Sequence, residues 1–220
     1  MEKYISRKII ITTIIVLLVV GLLVSIIIYI NSFSSVNISM NNCNSLVLYK
    51  SLPESDETNP DNLYENHKPT KTITKNGQYK LRKGTYRYYA QPINQDFQKE
   101  TKQIIINEKT QNLSINLTYT QKKLSELYKI ELPKIINTLN AKYPTQMKNY
   151  SLQFGKLYED GNWFGGYLVP DNNTDKLQVI LKQKGANIWE VAATPNITIS
   201  SPQYPEIPKV VIDGVNVFPN

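Results

Sequence analysis

The chain has 220 residues, 41% of them hydrophobic and 20% charged, with a formal net charge of +7. That apolar content suffices for a packed core and excludes wholesale disorder. One cysteine and one histidine exclude an internal disulfide framework, a thiolate zinc cage and any multi-histidine metal site.

From Ile9 to Ile30 the chain runs for 22 residues without a charge, dominated by Ile, Val and Leu. As a helix rising about 1.5 Å per residue it reaches roughly 33 Å, enough to cross a hydrocarbon core of about 30 Å. Soluble core helices keep a polar face, and this run has none. Thr12, Thr13, Gly21 and Ser25 do not oppose insertion, because each is small or bonds its own backbone. Lys3, Arg7 and Lys8 precede the run, while no Lys or Arg stands between Asn31 and Tyr49. The positive-inside rule then puts residues 1–8 in the cytoplasm and everything after the run across the plasma membrane. A cleaved signal peptide competes with this reading, but its apolar region is about 7–15 residues and ends at a small-x-small site. Residues 9–30 read as an uncleaved single-pass signal anchor whose partner is the lipid bilayer.

Residues 31–119 alternate in short runs separated by turn chemistry. Strands are predicted at 36–40, 45–50, 70–74, 78–82, 85–91, 102–107 and 112–119. In the last of these Leu113, Ile115, Leu117 and Tyr119 share one face, with Ser114, Asn116 and Thr118 on the other. Asn76-Gly77 reads as a tight hairpin and Lys83-Gly84 as a second turn. The spacing predicts a small antiparallel β-sandwich, interrupted by an acidic, polar loop at 53–67. The phrase Gly77-Gln78-Tyr79-Lys80-Leu81-Arg82-Lys83-Gly84-Thr85-Tyr86, followed by paired strands, resembles PEGA-like and transthyretin-like (carboxypeptidase regulatory-like) sandwiches. That resemblance spans residues 36–119 and implies a structural or adhesive module of a cell envelope, without catalytic residues.

Residues 120–220 change character. Leu124, Tyr128, Leu132, Ile135, Leu139 and Tyr143 form one helical stripe, and Pro133 predicts either a kink or two helices. Strands at 150–157, 163–169, 177–183 and 188–193 follow, separated by Asp160-Gly161, a turn at 171–174 and Lys184-Gly185. One helix packed on an antiparallel meander is an α+β domain, and the order resembles cystatin-like and NTF2-like folds. The tail from Pro195 is proline-rich and reads as extended chain, with a short helix possible after Pro208.

The search for chemistry finds no catalytic constellation and no cofactor or metal motif. His67 sits in a polar loop, and Cys43 lies among asparagines with no nearby base to lower its pKa. Glu54, Asp56, Glu57, Asp61 and Glu65 cluster in soft polar sequence, without an apolar wall or EF-hand spacing. Asp171-Asn172-Asn173-Thr174-Asp175 reads as an Asx-rich turn. The most uneven charge is the run 68–87, from which Lys80, Arg82, Lys83 and Arg87 are candidate contacts for an anionic wall polymer or lipid head groups. The alternative is a solvated outer face over Tyr79 and Leu81. Trp163, Tyr167 and Trp189 are candidate pocket or interface aromatics, with core packing as the alternative. The sequons at Asn112 and Asn116 are those expected by chance in an Asn-rich chain.

These features together predict a non-enzymatic, membrane-anchored envelope protein that presents an extracytoplasmic binding or scaffolding domain. Its expected partner is an envelope protein or an anionic wall polymer, and nucleic acid is not expected. A ligand-binding NTF2-like pocket beneath the three aromatics, and an accessory subunit of an envelope enzyme or secretion complex, are the alternatives.

Overall fold

A computed structural model describes residues 2–50, 67–171, 175–185 and 188–217. The predicted loop at 53–67, His67 apart, and the centre of the turn at 171–175 lie outside the described residues. The chain begins with helix α1 (Glu2–Asn31), whose stretch Thr12–Asn31 is long and apolar enough to cross a membrane. None of that stretch is buried against the rest of the chain. Its Ser25 hydroxyl donates to the Gly21 carbonyl at 2.8 Å, so the polar group is satisfied within the helix.

Beyond α1 the chain is mixed α+β, with three sheets that are mostly antiparallel. It forms two compact units: Met1–Ile93 with Lys99–Leu117, and Asn94–Gln98 with Thr118–Asn220. The first unit holds β1 (Phe33–Asn41), β2 (Cys43–Lys50), β3 (Lys71–Ile73), β4 (Gly77–Arg82), β5 (Gly84–Pro92), β6 (Glu100–Ile106) and β7 (Thr110–Asn116). One sheet has the order β4-β1-β7 and the other β3-β2-β5-β6. Alternation along β1 buries Val36 and Ile38, and Leu81 and Ile115 join them from the flanking strands.

Two expectations change here. The β1–β7 pair is parallel, Ser35 standing opposite Thr110 and Asn41 opposite Asn116, so the first unit is not wholly antiparallel. Asn76-Gly77 is not a hairpin, because β3 and β4 lie in different sheets. It is a corner, and so are Asn42 and Lys83-Gly84, each carrying the chain from one sheet to the other. At the first corner the Asn76 side-chain oxygen accepts from the Met40 N–H at 2.7 Å. Turn residues report a reversal but not which sheet the next strand joins.

The second unit contains α2 (Gln121–Lys142), β8 (Tyr150–Tyr158), β9 (Trp163–Pro170), β10 (Leu177–Gln183), β11 (Trp189–Asn196) and α3 (Lys209–Asn216). Thr120 caps α2, its hydroxyl accepting from the Lys123 N–H at 3.3 Å. Segment 94–98 braces the same end: the Thr120 N–H donates to the Asp96 carbonyl at 2.7 Å, and Lys123 pairs with the Asp96 carboxylate at 2.9 Å. Pro133 lies inside one continuous helix, which leaves the Lys129 carbonyl without an intrahelical donor.

The sheet order β11-β10-β9-β8 is a simple antiparallel meander with both faces covered. Leu124, Ile135 and Leu139 of α2 pack with Leu157, Phe164 and Leu181 on one face. On the other, Val211, Ile212 and Val215 of α3 pack with Trp163, Ile180 and Ile199. The tail thus covers this face, and its helix begins directly after Pro208, where a short helix is expected. Gln178 fastens it, donating to the Val215 carbonyl at 3.1 Å and accepting from the Ile199 N–H at 2.7 Å.

Candidate functional site

The end of α1 joins the first unit almost without a break. Ser32 is the single residue between helix and strand β1, and its carbonyl accepts from the Lys83 N–H at 2.8 Å. Phe33 stands opposite Arg82 in the β1–β4 ladder. The Tyr29 and Phe33 rings meet edge to face, with centroids 5.2 Å apart. The Arg82 guanidinium lies 5.9 Å from the Tyr29 centroid and 5.6 Å from that of Phe33, so two aromatics hold one cation at the helix end. The Tyr86 hydroxyl donates to the Arg82 carbonyl at 2.8 Å and fixes the strand end beneath it.

Two open grooves flank this junction. One, of about 480 Å³, runs from Ser25, Ile28 and Tyr29 to Lys50, Arg82 and Lys83. The other, of about 410 Å³, runs from Ile30 and Phe33 to Lys80 and Lys109. Each has an apolar wall at one end and cations at the other, an arrangement that suits an anion carrying a hydrocarbon portion. Lys50 and Lys109 lie outside the basic run 68–87, and only the fold brings them here.

Arg87 departs from the predicted set. It belongs to β5, in the other sheet from Lys80 and Arg82, stands opposite Tyr49, and is only 5% exposed. Lys80 and Arg82 are exposed on β4, with Leu81 between them buried. Alternation within one strand was readable; burial of β5 on both faces from Tyr86 to Ala90 was not.

The three aromatics do not line one cavity. Trp189 packs on the α2 face, where its indole N–H donates to Glu131 Oε2 at 2.9 Å. Trp163 packs on the α3 face, and the Tyr167 hydroxyl donates to the Val215 carbonyl at the C-terminal end of α3. Each is 5% exposed. The sheet itself separates them, because β9 and β11 send these side chains to opposite sides.

A different concavity lies between α2 and β8, about 350 Å³ in volume, lined among others by Leu124, Tyr128, Phe154 and Lys156. Phe154 is 52% exposed at a bulge in β8 and adopts φ 53°, a left-handed conformation that costs a bulky residue about 1–3 kcal/mol. Periodicity gave no sign of this bulge.

Cys43 is half-buried, its thiol donating to the Ser45 carbonyl at 3.2 Å, and burial pushes its pKa up, away from a reactive thiolate. His67 is half-buried. Among the described residues, no group of three or more His, Cys, Asp or Glu is arranged to hold a metal ion.

No protein-family model matches the sequence, and no curated protein matches it. Among solved structures the chain is similar to a DUF3823 family protein from Parabacteroides merdae, at 11% identity and a TM-score of 0.28. The alignment covers 62% of this chain and 56% of that one, so the chain spans little more than half the length of that protein. A likeness this shallow assigns no ligand or activity.

Proposed function

We propose that this is a non-enzymatic, single-pass membrane protein of a bacterial envelope, with a short cytoplasmic N-terminus and both folded units outside the cytoplasm. In this reading the first unit is a transthyretin-like spacer at the membrane surface, and the second is the module that meets a partner. The carrying observation is that Thr12–Asn31 is a 20-residue apolar helix with none of its residues buried, continuing through Ser32 directly into β1. So large an exposed apolar surface is costly in water and satisfied in lipid. The length of the span, 20 residues against the about 7–15 apolar residues of a cleaved leader, favours a retained anchor. The flanking Lys3, Arg7 and Lys8 support the orientation.

The test is alkaline carbonate extraction of membranes, followed by protease treatment of intact cells. The full-length chain should stay in the pellet, and both folded units should become accessible from outside. Recovery in the soluble fraction, or protection of residues 118–220, overturns the proposal.

A further inference from the structure

We infer that the two grooves at the end of α1 hold the phosphates of anionic phospholipid headgroups, Arg82, Lys83 and Lys50 in one groove and Lys80 and Lys109 in the other. This rests on the reading of α1 as a bilayer anchor and goes further, naming the lipid class that the anchor's outer end selects. The apolar wall of each groove is the last turn of the membrane-crossing helix. Whatever fills it must therefore be soluble in hydrocarbon at one end and anionic at the other. A phospholipid meets both conditions, whereas an anionic wall polymer has no apolar part to lie along Ile28 or Ile30.

The level is also right. Tyr29 and Phe33 form an aromatic pair at the end of the span, where amphipathic rings settle among headgroups. Arg82 is held on that pair. All five cations are exposed, and none pairs with a carboxylate among the described residues. Their charge remains available to a ligand.

This cluster is invisible to topology rules. The positive-inside bias is read on the linear chain within about 15–20 residues of a span. Lys80, Arg82, Lys83 and Lys109 are more distant in sequence and arrive only when β1, β4 and β7 assemble. Insertion is thus set by the N-terminal cations, and the folded unit adds a cationic collar afterwards.

The experiment uses full-length protein in vesicles of phosphatidylcholine mixed equally with phosphatidylglycerol. Trace photoactivatable headgroup analogues of each lipid are cross-linked and mapped by peptide. One basic side chain near an anionic surface is worth about fivefold. Peptides carrying residues 80–83 should therefore take up the phosphatidylglycerol probe at least about fivefold more than the phosphatidylcholine probe. Lys80→Gln, Arg82→Gln and Lys83→Gln together should remove that preference. Arg82→Lys should keep most of it, and a triple change at Lys3, Arg7 and Lys8 should leave it intact. Equal labelling by the two probes in a chain retained by carbonate-washed vesicles overturns the lipid assignment alone. So does a preference that survives the triple glutamine variant. A chain released by carbonate overturns the anchor as well.

Discussion

The Trp189 indole N–H donates to Glu131 Oε2 at 2.9 Å, while Lys134 donates to Oε1 of the same carboxylate at 2.7 Å. Strand β11 and helix α2 are thereby tied by one side chain. Burial alone pushes the Glu131 pKa up, but the hydrogen bonds from Lys134 and Trp189 outweigh it, and the net direction is down. A carboxylate with a lowered folded-state pKa stabilises above its ordinary value and loses that contribution as pH falls through the folded one. Glu131→Gln should therefore cost about 1–2 kcal/mol at neutral pH and much less in acid. Urea denaturation in detergent micelles at several pH values measures it; a cost that does not shrink with acid counts against the ionised tie.

Pro133 stands inside α2 with its side chain exposed and with no N–H for the Lys129 carbonyl. A proline in a helix interior costs up to about 3 kcal/mol, part of which the surrounding helix has absorbed. Pro133→Ala should raise stability by about 1–2 kcal/mol. A melting temperature that falls instead would mean that the break in the hydrogen-bond ladder is needed to seat Ile135 and Leu139 on the sheet.

Gly165 of β9 lies beneath α3, where an added methyl would collide with Val215 Cγ1 and sit 3.3 Å from the Tyr158 ring. Overpacking a filled core costs about 1–3 kcal/mol. Gly165→Ala should lower stability by that amount and expose the tail to protease first. Limited proteolysis followed by mass analysis of the C-terminal fragments separates this from uniform destabilisation.

The parallel β1–β7 pair carries a matched set of amides. Asn37 donates to Asn112 at 3.0 Å, and Asn41 donates to Asn116 at 2.9 Å, each pair in direct register. A double-mutant cycle over Asn37→Ala and Asn112→Ala should give a coupling of about 0.5–1 kcal/mol. Zero coupling would show that the exposed bond exchanges freely with water.

Much of the architecture was legible because strands and the α2 stripe are written in period. Leu124, Ile135 and Leu139 are buried as their spacing requires, and β10 runs Leu177–Gln183, the residues that the flanking turn signals bounded. Direction and partner were not legible. Nothing in Thr110–Asn116 says that it runs parallel to β1, and Asn76-Gly77 does not say that β4 joins a different sheet from β3. The separation of Trp163 from Trp189 did leave a trace. Strand β9 is buried at every position from Trp163 to Leu168, and Val179, Ile180 and Leu181 form an unbroken apolar run. A strand solvated on one side alternates; one covered on both does not. That run marked a sheet needing a second cover, which α3 and the tail supply. The cationic collar had no such trace, since Lys50 and Lys109 are ordinary surface lysines until the sheet closes.

Most tethered domains sample a hemisphere of space around their attachment point, because a disordered leash joins them to the span. Here Ser32 alone separates α1 from β1, and Lys83 is bonded to its carbonyl. With α1 in a bilayer, the first unit has no leash. Its standing height above the lipid is then fixed by covalent geometry, and tilting of the helix becomes tilting of β1 and the strands bonded to it.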